Sequence, residues 1–131
     1  MISTKGRYAL RIMIDLAERR NDGYIPLRDI AERQEISKKY LEIIMKELVK
    51  GNMVSGHGGR GGGYVLCRAP EAYTVGEILE LMEGSLAPVA CLARGALPCG
   101  RAPACKTRSM WAEFDQMVRS YFFGKTLADF L

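Results

Sequence analysis

Six glycines fall between residues 56 and 63, inside the stretch MVSGHGGRGGGYVL (53–66). Each glycine in a helix interior costs about 1 kcal/mol relative to alanine, so no helix survives this density. The β-prone ends MVS and YVL flank the glycines, which predicts a hairpin with a glycine-rich tip. A phosphate-binding loop is the rival reading. It fails on order, because no Lys-Ser or Lys-Thr follows the glycines and no helix opens directly after them. The tip carries Arg60 and His57, the only histidine of the chain. His57 reads as a plain exposed loop residue or, should the hairpin follow a helix-turn-helix as its wing, as a contact to a DNA backbone or minor groove.

Around this hairpin the chain reads as helical. Residues 5–20 place Ala9, Ile12, Met13, Leu16 and Ala17 at helical spacing, with Asp15, Glu18 and Arg19 between them. NDGYIP is a turn, and Pro26 suits the start of a short helix, LRDIAERQE, that buries Leu27, Ile30 and Ala31. Ser37 is a plausible N-cap for the next helix, KKYLEIIMKELVKG, with Leu41, Ile44, Met45 and Leu48 as its core stripe and Gly51 as its stop. Periodicity alone leaves open a DNA-binding helix-turn-helix and an ordinary helical hairpin. After the glycine hairpin, Thr74 and Glu77 form a capping-box pair for TVGEILELMEG (74–84). A last helix is predicted from Thr107 to Phe123. Its apolar stripe of Met110, Trp111, Phe114, Met117, Val118, Tyr121 and Phe122 packs within the chain, against a second subunit, or both. The acids are expected mostly on solvated outer helix faces.

Charge is uneven. Residues 1–70 hold 13 basic and 8 acidic side chains, net +5, whereas 71–131 hold 6 and 7, net −1. The basic part suits a polyanion. No stretch approaches a membrane span and the N-terminus does not read as a signal peptide, so a cytoplasmic protein without a membrane partner is expected. No paired catalytic carboxylates and no base–nucleophile pair appear, so the chain is not read as an enzyme.

The segment CLARGALPCGRAPACKTR (91–108) holds Cys91, Cys99 and Cys105, four basic residues and no carboxylate. Prolines and glycines make it a loop. A structural zinc wants four ligands, often in paired knuckles, and that pairing is absent. A disulfide leaves one thiol over and does not suit the cytosol. Three thiolates with an exchangeable fourth ligand suit an iron–sulfur cluster, and the basic residues favour the thiolate form. The bland alternative is three surface thiols without a cofactor. Cys67, in the second strand of the glycine hairpin, is expected as a buried apolar residue rather than a ligand.

Three motifs carry a resemblance over nearly the whole chain: STKGRYALRIMIDLA, then LRDIAERQEISKKYLEIIMKELVKGNMVSGHGGRGGGYVLCRAPE, then YTVGEILELMEG. Together with the three cysteines, they resemble the IscR-like family of winged helix-turn-helix regulators, which includes iron–sulfur, nitric oxide and cysteine-metabolism sensors. The resemblance implies a mainly α fold with a small β-hairpin wing and a long C-terminal dimerisation helix. It divides the chain into a DNA-binding domain (1–84), a cysteine-containing sensor loop (85–106) and a dimerisation helix with tail (107–131). It implies a homodimer on an inverted-repeat operator, with repression as the expected role. Ser37, Lys38, Lys39 and Tyr40 would lie on the recognition helix, His57 and Arg60 on the wing, and Arg7 would add a backbone contact. Met110, Trp111, Phe114, Val118, Tyr121 and Phe122 would face the partner subunit. Cys91, Cys99 and Cys105 would hold the cluster, [2Fe–2S] in preference to [4Fe–4S]. Two departures leave the fourth ligand unassigned. The position of a ligating histidine after the last cysteine is Arg108, and the position of a ligating carboxylate in the first helix is Arg7. The alternative is a regulator of the same fold that senses through cysteine oxidation, a bare metal ion or a partner protein such as an enzyme.

Overall fold

The structure, a computed structural model, describes residues 1–97 and 100–131, the side chain of Ala102 excepted. Its elements are α1 (Thr4–Glu18), α2 (Leu27–Gln34), α3 (Lys38–Lys50), β1 (Val54–His57), β2 (Gly63–Leu66), α4 (Val75–Glu83) and α5 (Arg108–Phe123). The mainly α fold with a hairpin wing is the one expected. No helix among the described residues is long and apolar enough to cross a membrane.

Helix α1 is the centre of the core. Ser3 caps it, its Oγ accepting from the Gly6 amide at 3.1 Å. Ala9, Ile12, Met13, Leu16 and Ala17 are buried against Ile30, Leu41, Ile44, Met45 and Leu48 from α2 and α3. In α2, Ile30 is buried, whereas Leu27 and Ala31 are only half-buried at the core's edge. Asp15 departs from the expected solvated face. It is 1 % exposed and takes both Nη2 (2.8 Å) and Nε (3.1 Å) of Arg33, plus Nε2 of Gln34 at 2.9 Å. A buried carboxylate is tolerable only when paired in this way. The pairing ties α1 to the end of α2. The turn that follows places Glu35 in the left-handed region (φ 54°) and buries Ile36.

The hairpin pairs Val54 with Leu66, Ser55 with Val65, Gly56 with Tyr64 and His57 with Gly63. Ile25 extends it on the other side, exchanging two backbone hydrogen bonds of 2.9 Å with Tyr64. At Gly63 (φ +152°) a Cβ would fall 2.3 Å from the Ile25 carbonyl oxygen, so only glycine lets the two backbones approach. Tyr73 closes the wing's base. Fully buried, its hydroxyl donates to the Met53 carbonyl (2.6 Å) and accepts from the amides of Cys67 (2.9 Å) and Arg68 (3.0 Å). Cys67 is exposed, not buried as expected. Its amide still reaches the Met53 carbonyl at 3.4 Å, next to the Val54–Leu66 pair, but Leu66 packs on the core and the alternation along the strand turns the following thiol to solvent.

The capping box of Thr74 and Glu77 starts α4, and Val75, Ile78, Leu79 and Met82 are buried. Helix α5 lies on α4 where Gly76 leaves room; a Cβ there would sit 2.4 Å from the Phe123 ring. Phe122 and Phe123 join Val75, Leu79 and Leu86 in a second apolar cluster. The tail then returns to the main core. Val75 donates its amide to the Lys125 carbonyl (2.8 Å), Leu127 donates to the Tyr73 carbonyl (3.1 Å), and the Leu127 side chain is fully buried.

Candidate nucleic-acid interface

Ser37 holds the start of α3, its Oγ accepting from the Tyr40 amide at 3.2 Å. The remaining amides of the first turn have no partner within the helix and favour an anion. Lys38 and Lys39 are exposed beside them. Tyr40 is half-buried, its ring edge-on to Tyr8 at 5.7 Å, and Arg11 stacks on Tyr8 at 5.1 Å. Tyr40 therefore first locks α3 to α1. Arg7 is exposed in the first turns of α1, with one guanidinium nitrogen donating to Thr4 Oγ1 at 3.2 Å.

An open cleft separates the starts of α2 and α3 from the wing, and Arg28, Lys38, His57 and Arg60 line it. His57 and Arg60 are exposed, and the His57 ring lies 5.1 Å from that of Tyr24. The structure thus gathers three sequence-predicted residues, Lys38, His57 and Arg60, around one basic cleft. It adds Arg28, which sequence reasoning missed; its side chain is 83 % exposed and 3.8 Å from Asp29. The available signal was its place just after the Pro26 helix start, where a side chain projects beside the wing.

The cysteine segment lies between α4 and α5. Cys91 is half-buried in a 3-10 turn, Ala90–Leu92, and Cys105 is exposed just ahead of α5. Cys99 lies outside the described residues. The Cys105 Sγ is 3.6 Å from Thr107 Oγ1, and the side-chain and backbone hydrogen bonds of Thr107, with the charge of Arg108, hold its thiol below the usual range. This donor chemistry suits a soft metal centre. Among the described residues no three His, Cys, Asp or Glu side chains gather as a metal site. Arg94 does not stand free beside the thiols. It pairs with Glu80 at 3.3 Å, and Glu80 also pairs with Arg119 of α5 at 3.0 Å.

Helix α5 sorts its apolar residues into two sets. Trp111, Val118 and Phe122 are half-buried. Met110, Phe114, Met117 and Tyr121 form a stripe at helical spacing that is 52, 42, 63 and 62 % exposed.

A helix pair with a capped, lysine-rich second helix, a glycine wing and a basic cleft between them defines a winged helix-turn-helix DNA-binding regulator. The chain belongs to the Rrf2 family, iron-dependent transcriptional regulators, whose model matches residues 2–131. It is 35 % identical over 128 residues to the HTH-type transcriptional regulator IscR of Yersinia enterocolitica, covering 98 % of this chain and 77 % of that one. Among solved structures it is similar to CymR (YrzC), the global cysteine regulator of B. subtilis. There the TM-score is 0.83 at 35 % identity, covering 99 % of this chain and 95 % of that one. It is also similar to T. potens IscR, with a TM-score of 0.79, 34 % identity, and 99 and 85 % coverage. These relatives are transcriptional regulators, and this chain is one rather than an enzyme.

Proposed function

We propose that the chain is a cytoplasmic, homodimeric repressor that binds an inverted-repeat operator and whose affinity is set by an iron–sulfur cluster. The observation that carries the DNA reading is the basic cleft between the start of α3 and the wing. Ser37, Lys38, Lys39 and Tyr40 belong to the helix that enters the major groove, with His57, Arg60 and Arg7 on the flanking backbone. Residues 1–84 form the DNA-binding unit, 85–106 the sensor loop and 107–131 the dimerisation helix and tail. The occupant of the exposed α5 stripe is a second copy. Four large apolar side chains in line are more than a solvated helix face carries, and a two-fold operator needs a two-fold protein.

Cys91, Cys99 and Cys105 hold the cluster, [2Fe–2S] in preference to [4Fe–4S], with the fourth ligand unassigned. Such a cluster supplies an oxidant- and supply-sensitive link between the loop's thiols. The protein's part is to present the thiols between α4 and α5, where the Arg94–Glu80–Arg119 bridge joins the loop to both helices.

The likeness to CymR supports a second reading with equal force, a regulator that senses through cysteine oxidation, a metal ion or a partner enzyme. The exposed thiols of Cys67 and Cys105 suit it. One experiment separates the two. Protein purified anaerobically is assayed for iron and sulfide and footprinted on its own promoter. The cluster reading expects stoichiometric iron and sulfide, lost in Cys99→Ala together with the normal footprint. Colourless protein whose Cys99→Ala form binds identically refutes it. No sequence preference at all refutes the DNA reading.

A further inference from the structure

Ile43 is an anomaly on α3. Leu41, Ile44, Met45 and Leu48 are fully buried, whereas Ile43 is 52 % exposed. It lies in the second turn, near the capped end of the helix. Its spacing from Lys39, Lys46 and Lys50 puts all four on the line opposite the buried face, and the three lysines are exposed as well. This outer line is therefore cationic with one apolar, branched side chain set into it. The core has no use for Ile43, which faces away from it. A protein partner that bound this line would have to meet three cations around one isoleucine. A major groove meets both requirements, since phosphates face the lysines and thymine is the base whose edge there carries an apolar methyl group beside its O4 acceptor.

We infer that Ile43 is a specificity-determining residue that contacts a thymine C5-methyl group in each half-site. The inference rests on α3 being the helix that enters the groove. Lysines at 39, 46 and 50 then supply affinity largely without regard to sequence. Ile43 supplies discrimination, because a methyl group buried against it is lost when the base is changed. Burying one methyl-sized group contributes about 0.8 kcal/mol, or about fourfold in affinity for each half-site.

The test uses duplexes selected from a random pool by the wild-type protein. Each thymine of a selected half-site is replaced in turn by deoxyuridine, which keeps every hydrogen-bonding group and lacks only the methyl. Anisotropy titrations then compare wild type, Ile43→Ala and Lys39→Ala. At one position or more, the wild type binds the deoxyuridine duplex about fourfold more weakly. Ile43→Ala binds both duplexes alike, while Lys39→Ala binds both more weakly and keeps the wild-type ratio. Thermal melts check that Ile43→Ala is folded, and Ile43→Val, which keeps the branched methyls, should retain most of the ratio. Wild type indifferent to every deoxyuridine, or Ile43→Ala still sensitive to it, overturns the inference and leaves the DNA reading standing. A pool from which the wild type enriches nothing overturns both.

Discussion

The buried Asp15–Arg33 pair makes an asymmetric prediction. Asp15 has a fully buried side chain, whereas that of Arg33 is 31 % exposed. Arg33→Ala strips the carboxylate of its two shortest-reach charged contacts, leaving Gln34 at 2.9 Å and Arg19 at 3.7 Å. An incompletely compensated buried charge costs about 3–5 kcal/mol. Asp15→Ala leaves a guanidinium that can turn to water, so the loss is nearer that of charged hydrogen bonds, about 2 kcal/mol. The double variant should cost less than the sum of the two. Urea unfolding at pH 7, at one fixed protein concentration, measures all three. Burial pushes the Asp15 carboxyl up, but the hydrogen bonds from Arg33 and Gln34 and the charges of Arg33 and Arg19 outweigh it and hold it below the usual carboxylate range. A lowered folded pKa gives stability that is complete above the unfolded value and lost as pH falls through the folded one. The gap between wild type and Asp15→Ala should therefore be full at pH 7 and shrink in acid. Asp15→Ala as damaging as Arg33→Ala, or a gap that widens in acid, would refute this account.

Lys39→Ala and Arg60→Ala should each weaken operator binding and lower the steepness of its salt dependence by about two units, roughly one for each subunit of the dimer, as measured by titration across salt concentrations. Phe114→Glu puts a charge into the exposed α5 stripe, and sedimentation should show a folded monomer with weakened DNA binding; a normal dimer would place the subunit contact elsewhere. Tyr73→Phe removes the hydroxyl that serves the Met53 carbonyl and the Cys67 and Arg68 amides, and should cost about 1–3 kcal/mol in a thermal or urea melt.

Local chemistry was legible in the sequence, and long-range pairing was not. Ser37 and the Thr74–Glu77 box announce helix starts because a cap needs only neighbours a few residues away. The glycine run announces the hairpin for the same reason. Asp15 reads as a solvated residue because its partner lies 18 positions later on another helix. Tyr73 sits beside a conspicuous cap, and nothing near it shows that its hydroxyl reaches back 20 residues to Met53. Cys67 continues a β-prone run, and only the fold shows that Leu66 takes the core-facing side and leaves the next side chain outside. The basic residues of the interface were readable as charges. Their convergence on one cleft, with Arg28 among them, required the fold.

The return of the tail to the core makes α5 a lever with one end fixed. Beyond its C-terminus the backbone is laced to Tyr73 and Val75 and anchored by Leu127, so that end moves only with the DNA-binding core. Its N-terminus is the continuation of the cysteine loop. The 16-residue helix is about 24 Å long, so a displacement of about 2 Å at the loop end is a tilt of roughly 5° about the fulcrum. Under the proposed function, a change of state in the loop would be converted into an angle, provided it also breaks the Arg94–Glu80–Arg119 bridge to α4. If two such levers lie against each other, that angle sets the distance between their cores while each core stays as it was packed.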